Sequence, residues 1–232
     1  MSSPFIGVAK AVLEQAVEPQ FWHDRWASGQ IGFHQASGNP LLAKHISALG
    51  LEDGARVFLP LCGKTGDIGW LLSQGFSVVG VELSRTAIED LFDELALEPE
   101  MTKQGRLEAF EAENLTVYVG DFFDLDREML GPVGAIYDRA ALVALPDDGM
   151  RGRYARHLAD ITQCAPQLTI TFEYPDGMIE GPPFSISPQN LEMMHGDRYG
   201  IELLERGLSP GGLRGNGEVY EAVWHLTAKT AE

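Results

Sequence analysis

Between residues 55 and 97 the chain runs through four segments that alternate between two kinds of pattern. ARVFLPL is a short apolar run, TGDIGWLLSQG is helix-patterned, FSVVGVEL is apolar again, and SRTAIEDLFDELAL is helix-patterned again. Short runs that are apolar at nearly every position read as strands buried on both faces, and a helix between two of them makes a βαβ crossover. That alternation restricts the chain to a mostly parallel sheet with helices on both sides. Farther on, RLEAFEAE and LTVYVGD read as strands around Asn114, which fits a hairpin insertion. GAIYDR is a strand, MRGRYARHLADIT a helix and QLTITFEY a strand. IELLERG and VYEAVWHLTA then read as strands with little helix between them, which places an antiparallel addition at one edge. The expectation is a doubly wound α/β fold.

Two helices precede the sheet. EPQFWHDRWASG carries Pro19 where a first turn tolerates it and Gly29 just past the end. Trp22 and Trp26 are four apart and share one face. NPLLAKHISALG has Asn39 as N-cap, Pro40 at the first helical position and Gly50 as terminator. The first 18 residues are consistent with a short amphipathic helix or with a loose extension. DGMIEGPPFSISP and SPGGLRGNG read as loops between the late strands.

The segment FLPLCGKTGDIGW contains Gly-Lys-Thr, the end of a nucleotide phosphate loop. That loop requires a glycine five residues before Gly63, where Phe58 stands, and a bulky residue cannot form the nest of N–H groups a phosphate needs. A dinucleotide fingerprint fails too, because Gly63, Gly66 and Gly69 are spaced by three. What remains is a strand, a glycine turn, a helix, and a second strand ending in Glu82 about 20 residues later. A carboxylate there can take both hydroxyls of a ribose, or it can cap the helix that begins after Ser84. A nucleoside without a pyrophosphate is then the natural ligand, and S-adenosylmethionine satisfies that description. Asp121, ending LTVYVGD, stands where a third strand meets an adenine amino group, or it serves as a turn aspartate.

Charge narrows the partners. Seventeen basic residues face 34 acidic ones, a formal net charge of -17. Such a field repels nucleic-acid backbones and anionic membrane surfaces. No apolar run approaches the ~20 residues of a membrane span, and the N-terminus is a poor signal peptide, so a cytoplasmic location is expected. Cys62 and Cys164 are too few for a disulfide framework. His23, His34 and His45 lack a metal-ligand spacing and are assigned ordinary roles, with His34 the exception to watch because it adjoins Phe33. Cys62 reads as a buried spacer.

The stretches FWHDRW, IGFHQ, VFLPLCGKTGDIGWL, VVGVELS, DFFDL, YDRAALVAL and GPPF occur in an order and spacing that resembles the thiopurine S-methyltransferase family over about residues 20–187. PLCGK and DRxALVA are the distinctive parts. The resemblance implies a class I, Rossmann-like methyltransferase fold with a seven-stranded sheet. It also implies S-adenosylmethionine as cofactor and S-adenosylhomocysteine as product. Residues 19–232 would form a single methyltransferase domain, and 1–18 an N-terminal extension. By position, Trp26 packs on the cofactor and Trp22 lines the same entrance. Leu61 contacts the methionine part, with Gly63 turning the backbone. Glu82 takes the ribose, Asp121 and Phe122 border the adenine, and Arg139 sits near cofactor and substrate. Phe33 corresponds to a substrate-contacting aromatic, and Arg214 is a second acceptor-side cation or a solvated loop residue. The family implies a monomer.

These residues make chemical sense for methyl transfer. A sulfonium is a cation, and the faces of Trp22, Trp26 and Phe33 attract cations by ~0.5–2 kcal/mol. An aromatic thiol is substantially ionised near neutral pH, so no strong base is needed. Alignment alone can contribute ~7–11 kcal/mol. Arg139 would favour the thiolate, although pairing with the adjacent Asp138 is the structural alternative. The expected acceptor is a small-molecule thiol, a thiopurine or an aromatic thiol. Small selenium, tellurium, sulfide or halide nucleophiles are the second choice, and a non-catalytic S-adenosylmethionine-binding protein the third.

Overall fold

A computed structural model describes residues 19–29, 37–215 and 217–230. Phe33 and His34 lie outside the described residues, as does the 1–18 extension. The chain enters through α1 (Pro19–Ala27) and α2 (Pro40–His45) and then alternates β1 (Arg56–Pro60), α3 (Gly66–Ser73), β2 (Ser77–Glu82) and α4 (Arg85–Glu94). Three strands follow directly: β3 (Glu100–Gln104), β4 (Leu107–Ala112) and β5 (Leu115–Val119). After them come α5 (Arg127–Leu130), β6 (Ala135–Arg139), α6 (Asp148–Thr162), β7 (Gln167–Glu173), α7 (Pro188–His195), β8 (Tyr199–Leu208) and β9 (Tyr220–Ala228).

The strands form one sheet in the order β3-β4-β5-β2-β1-β6-β7-β9-β8. From β5 to β7 every pairing is parallel, and β9 and β8 close the far edge antiparallel. The doubly wound sheet with an antiparallel edge is therefore present, with nine strands where seven were expected. The additional pair is the hairpin β3–β4, joined antiparallel to β5. β4 and β5 are the two strands read around Asn114, whose φ of +58° makes the turn between them. The strand missing from the sequence reading is Glu-Met-Thr-Lys-Gln at 100–104. It is an edge strand with solvent on it, and it carries no apolar alternation to mark it.

Alternation along the central strands splits the core into two layers. Val57 and Leu59 point to the side of α2, α3 and α4, where Leu42, Ile68, Leu71, Ile88, Leu91 and Phe92 pack. Phe58, Val79, Val81 and Ile136 point to the other side, against Leu130, Tyr154, Leu158 and Leu191. Each fully buried chain of this size contributes roughly 1.5–3 kcal/mol of transfer free energy. Both layers are apolar, so the strand ends are the place where polar groups can gather.

The helices start where their caps predict. The Asn39 side chain accepts the Leu41 N–H at 2.8 Å, and Pro40 opens α2. Thr65 caps α3 through the Asp67 N–H, and Ser84 caps α4 through the Ala87 N–H. α7 was not expected, because its surroundings read as a proline-rich loop. It begins with a capping box in which Ser187 and Asn190 satisfy each other's main-chain N–H. Among the described residues no helix is long and apolar enough to cross a membrane.

Candidate active site

The carboxyl ends of β1, β2, β5 and β6 lie side by side in the sheet, which is where an open parallel sheet collects its functional groups. After Pro60 the main chain turns sharply, with Leu61 at φ +47° and Gly63 at φ +53°. The Cys62 N–H donates to the Val81 carbonyl at 3.0 Å and keeps this turn against β2. Glycine at 63 is required twice over. A side chain there would be in the left-handed region, and its Cβ would stand 2.8 Å from Cζ2 of Trp26. The Trp26 indole, buried on the inner face of α1, therefore rests directly on the turn.

Glu82 is 6 % exposed and ends β2. Its Oε2 accepts the Gly63 N–H at 2.9 Å, and its Oε1 accepts the Ser84 N–H at 2.9 Å. Burial pushes its acidity toward a higher pKa, and the N–H groups of Ser84, Gly63 and Leu83 pull it back. Both oxygens keep further lone pairs with which to accept from a diol. The two alternatives raised for Glu82 are thus compatible: it braces the turn and the helix start through its main-chain partners, and its remaining lone pairs are free for a diol.

Asp121 follows β5, is exposed, and caps the next turn by accepting the Phe123 N–H at 2.9 Å. The Phe122 ring is turned into the core, with its centroid 5.0 Å from Tyr154 and 4.9 Å from His157. That leaves its main chain, rather than its ring, at the strand edge. On α1, Trp22 is half-buried, in an edge-to-face contact with Phe21 at 5.2 Å.

Arg139 ends β6 on the face of the sheet that carries Tyr137. Its Nη1 is 3.9 Å from Oδ2 of Asp67 on α3, not beside Asp138. Asp138 points to the opposite face, where it accepts from the Tyr154 hydroxyl at 2.7 Å and the Leu142 N–H at 3.1 Å. Burial raises the pKa of Asp138 to about 6. Arg214, exposed in the loop before β9, donates to the Pro182 carbonyl at 2.9 Å. Its charge also reaches Arg25 on α1. The C-terminal loop, the GPPF segment and α1 therefore converge.

Other candidates resolve into structural roles. Lys64 donates to Asp90 at 3.1 Å and to Glu94 at 2.8 Å, clasping α4. It borders a cavity of about 330 Å³ between α3 and α4, lined by Thr65, Trp70, Leu91 and Leu95. His45 pairs with Glu205 at 2.5 Å. The Cys62 thiol is buried against Gly80, and burial together with the nearby Glu82 charge holds it far from ionisation. Two residues of the cluster went unseen in the sequence, Asp67 and Tyr137. Asp67 is an acid in the first turn of a helix, a position that the helix dipole alone would favour.

The residues fit an aminoacyl-nucleoside: a carboxylate at the second strand end, a glycine turn, and an aromatic packed on that turn. Solved structures share the architecture. A 1,6-didemethyltoxoflavin-N1-methyltransferase from Burkholderia thailandensis, with 1,6-didemethyltoxoflavin and S-adenosylhomocysteine bound, has a TM-score of 0.64 at 15% identity, covering 99% of this chain and 92% of that one. A TehB-like S-adenosylmethionine-dependent methyltransferase from Corynebacterium glutamicum has a TM-score of 0.52 at 18% identity, over 91% and 98% of the two chains. The fold is that of the Rossmann-like S-adenosylmethionine-dependent methyltransferases.

Sequence relatives narrow the class. The profile of the thiopurine S-methyltransferase family matches residues 17–218. The thiopurine S-methyltransferase of Xanthobacter autotrophicus is 51% identical over 90% of this chain and 99% of its own length. That of Teredinibacter turnerae is 46% identical over 91% and 98%. The chain belongs to the thiopurine S-methyltransferase family.

Proposed function

We propose that this protein methylates the sulfur of small aromatic or heteroaromatic thiols, thiopurines among them, using S-adenosylmethionine. The observation that carries the reading is 51% identity, across 99% of its length, to a relative named for that activity. When bound, the cofactor supplies an electrophilic methyl on a sulfonium and is left as S-adenosylhomocysteine. Every other contribution comes from the chain. Glu82 holds the ribose hydroxyls, and the Leu61–Gly63 turn receives the aminoacyl part. Asp121 and the Phe122 main chain border the adenine. Trp26 and Trp22, with Phe33, shield the sulfonium side from water. Arg139 favours the thiolate form of the acceptor and orients it, and Arg214 adds positive charge on the acceptor side. Alignment of thiolate and methyl then provides most of the acceleration.

In this reading residues 19–232 act as one methyltransferase domain with 1–18 as an extension, and the protein is a cytoplasmic monomer. With a formal charge of -17, its partners are small molecules and not nucleic acids or membranes. The test is a panel of acceptors at saturating S-adenosylmethionine: thiopurines, thiophenols, selenite, sulfide and halide, ranked by kcat/KM. Thiopurines or thiophenols should lead. A lead for the inorganic anions replaces the acceptor assignment. Tight S-adenosylhomocysteine binding with no turnover on any acceptor overturns the enzymatic reading.

A further inference from the structure

Asp67 carries a buried charge that the reaction described so far does not use. It is 1 % exposed, at the start of α3. Its Oδ1 accepts the Asn39 N–H at 2.5 Å, fixing the chain just ahead of α2. Its Oδ2 accepts from the Thr65 hydroxyl at 3.0 Å and the Tyr137 hydroxyl at 3.1 Å. Three neutral donors thus satisfy the carboxylate's hydrogen bonding, as a buried charge requires. Its negative charge remains, and Nη1 of Arg139 lies 3.9 Å away, within Coulombic reach and beyond hydrogen-bond distance.

The state of Arg139 is the second half of the observation. Only 11 % of its side chain is exposed, yet among the described residues its guanidinium donates no hydrogen bond. A second carboxylate, Glu221 at the end of β9 nearest the site, is within electrostatic reach of it. A guanidinium with five donors, largely covered and directed by charge alone, has its hydrogen-bonding capacity in reserve. A direct Asp67–Arg139 salt bridge would consume two of those donors. Without any carboxylate the side chain would have no fixed direction.

We infer that Asp67 is the positioning residue of the methyl-transfer site: its buried carboxylate, held by Asn39, Thr65 and Tyr137, keeps Arg139 at the acceptor by charge without taking its donors. This rests on the reading of Arg139 as the acceptor-side cation. Asp67 touches neither substrate nor cofactor and acts through Arg139. The same carboxylate fastens the chain ahead of α2 to β6, so the cap and the arginine share one anchor.

The test is a double-mutant cycle on kcat/KM for 6-mercaptopurine at saturating S-adenosylmethionine. Asp67→Asn keeps the shape and removes the charge; it should lower kcat/KM about tenfold in the wild-type background and less than twofold beside Arg139→Gln. Tyr137→Phe removes a single donor to Asp67 and should lower it about threefold, again only when Arg139 is present. If Asp67→Asn does not fold, Tyr137→Phe carries the cycle by itself. Equal losses with and without Arg139, tracking a fall in melting temperature, reduce Asp67 to a structural carboxylate and overturn the inference alone. An Arg139→Gln variant as active as the wild type overturns both the inference and the assignment of Arg139 beneath it.

Discussion

The Glu82 carboxylate accepts the main-chain N–H of Gly63 at 2.9 Å, so the end of β2 and the turn after β1 are one unit. A single side chain then braces the loop after β1 and, in the proposed function, also receives the ribose, with that loop facing the aminoacyl part. Glu82→Ala removes the acceptor for two N–H groups as well as the diol's partner. Hydrogen bonds to a charged group are worth about 1.5–3 kcal/mol. S-adenosylhomocysteine affinity, measured by calorimetry well below the unfolding temperature, should therefore fall about 10- to 100-fold. Unchanged affinity removes the ribose role.

Gly63→Ala places a methyl group in a left-handed backbone and against the Trp26 ring. The backbone component costs about 1–2 kcal/mol, and the displaced indole adds to it. The urea midpoint should drop and tryptophan emission should shift as the ring moves. Trp26→Phe, which lacks the atom at 2.8 Å, should recover part of the loss in the double variant. Strict additivity of the two substitutions would show that Trp26 does not rest on Gly63.

The sequence made the scaffold legible because the buried strands and helix caps are local signals. ARVFLPL and FSVVGVEL are apolar at nearly every position since both faces of those strands are covered, and Glu82 follows from counting along them. Glu100–Gln104 was hidden by being an edge strand, whose pairing needs no apolar pattern. α7 was hidden by its neighbours, although Ser187, Pro188 and Asn190 spelled its cap. The Asp67 cluster was hidden for a different reason. Tyr137 is 70 residues away in sequence and Asn39 is 28, so only folding brings their donors to one carboxylate. Likewise the Arg214 contact with Pro182 spans 32 residues and leaves no mark in either segment.

Lys64 follows the glycine turn, yet its ammonium is directed to Asp90 and Glu94 on α4, and both acids are about half-exposed. The hydrogen bond to Glu94 is the main reason that its pKa is raised. Exposed pairs of this kind contribute about 0.2–1 kcal/mol. Lys64→Met should lower stability by no more than about 1 kcal/mol, and about 1 M salt should erase most of the difference. S-adenosylhomocysteine affinity should stay within about twofold. A large loss of affinity would place Lys64 at the ligand site.

His195, at the end of α7, is 2 % exposed, and neither ring nitrogen has a hydrogen-bond partner among the described residues. Burial lowers its pKa from 6.5 to about 4. The unfolded chain therefore binds a proton that the folded chain refuses between those values. The stability associated with the neutral ring is complete above pH 6.5 and is lost as pH falls toward 4. A displacement of that size corresponds to about 3 kcal/mol. Asp138 works in the opposite direction, since its pKa is raised from 3.8 to about 6 and folding gains as it protonates. The two nearly cancel in the wild type, so His195 is read from a difference. Unfolding free energies of wild type and His195→Leu should be compared from pH 7 to pH 4. The wild type should lose about 3 kcal/mol relative to the variant across that range, and parallel curves would show that the ring titrates normally in the folded protein.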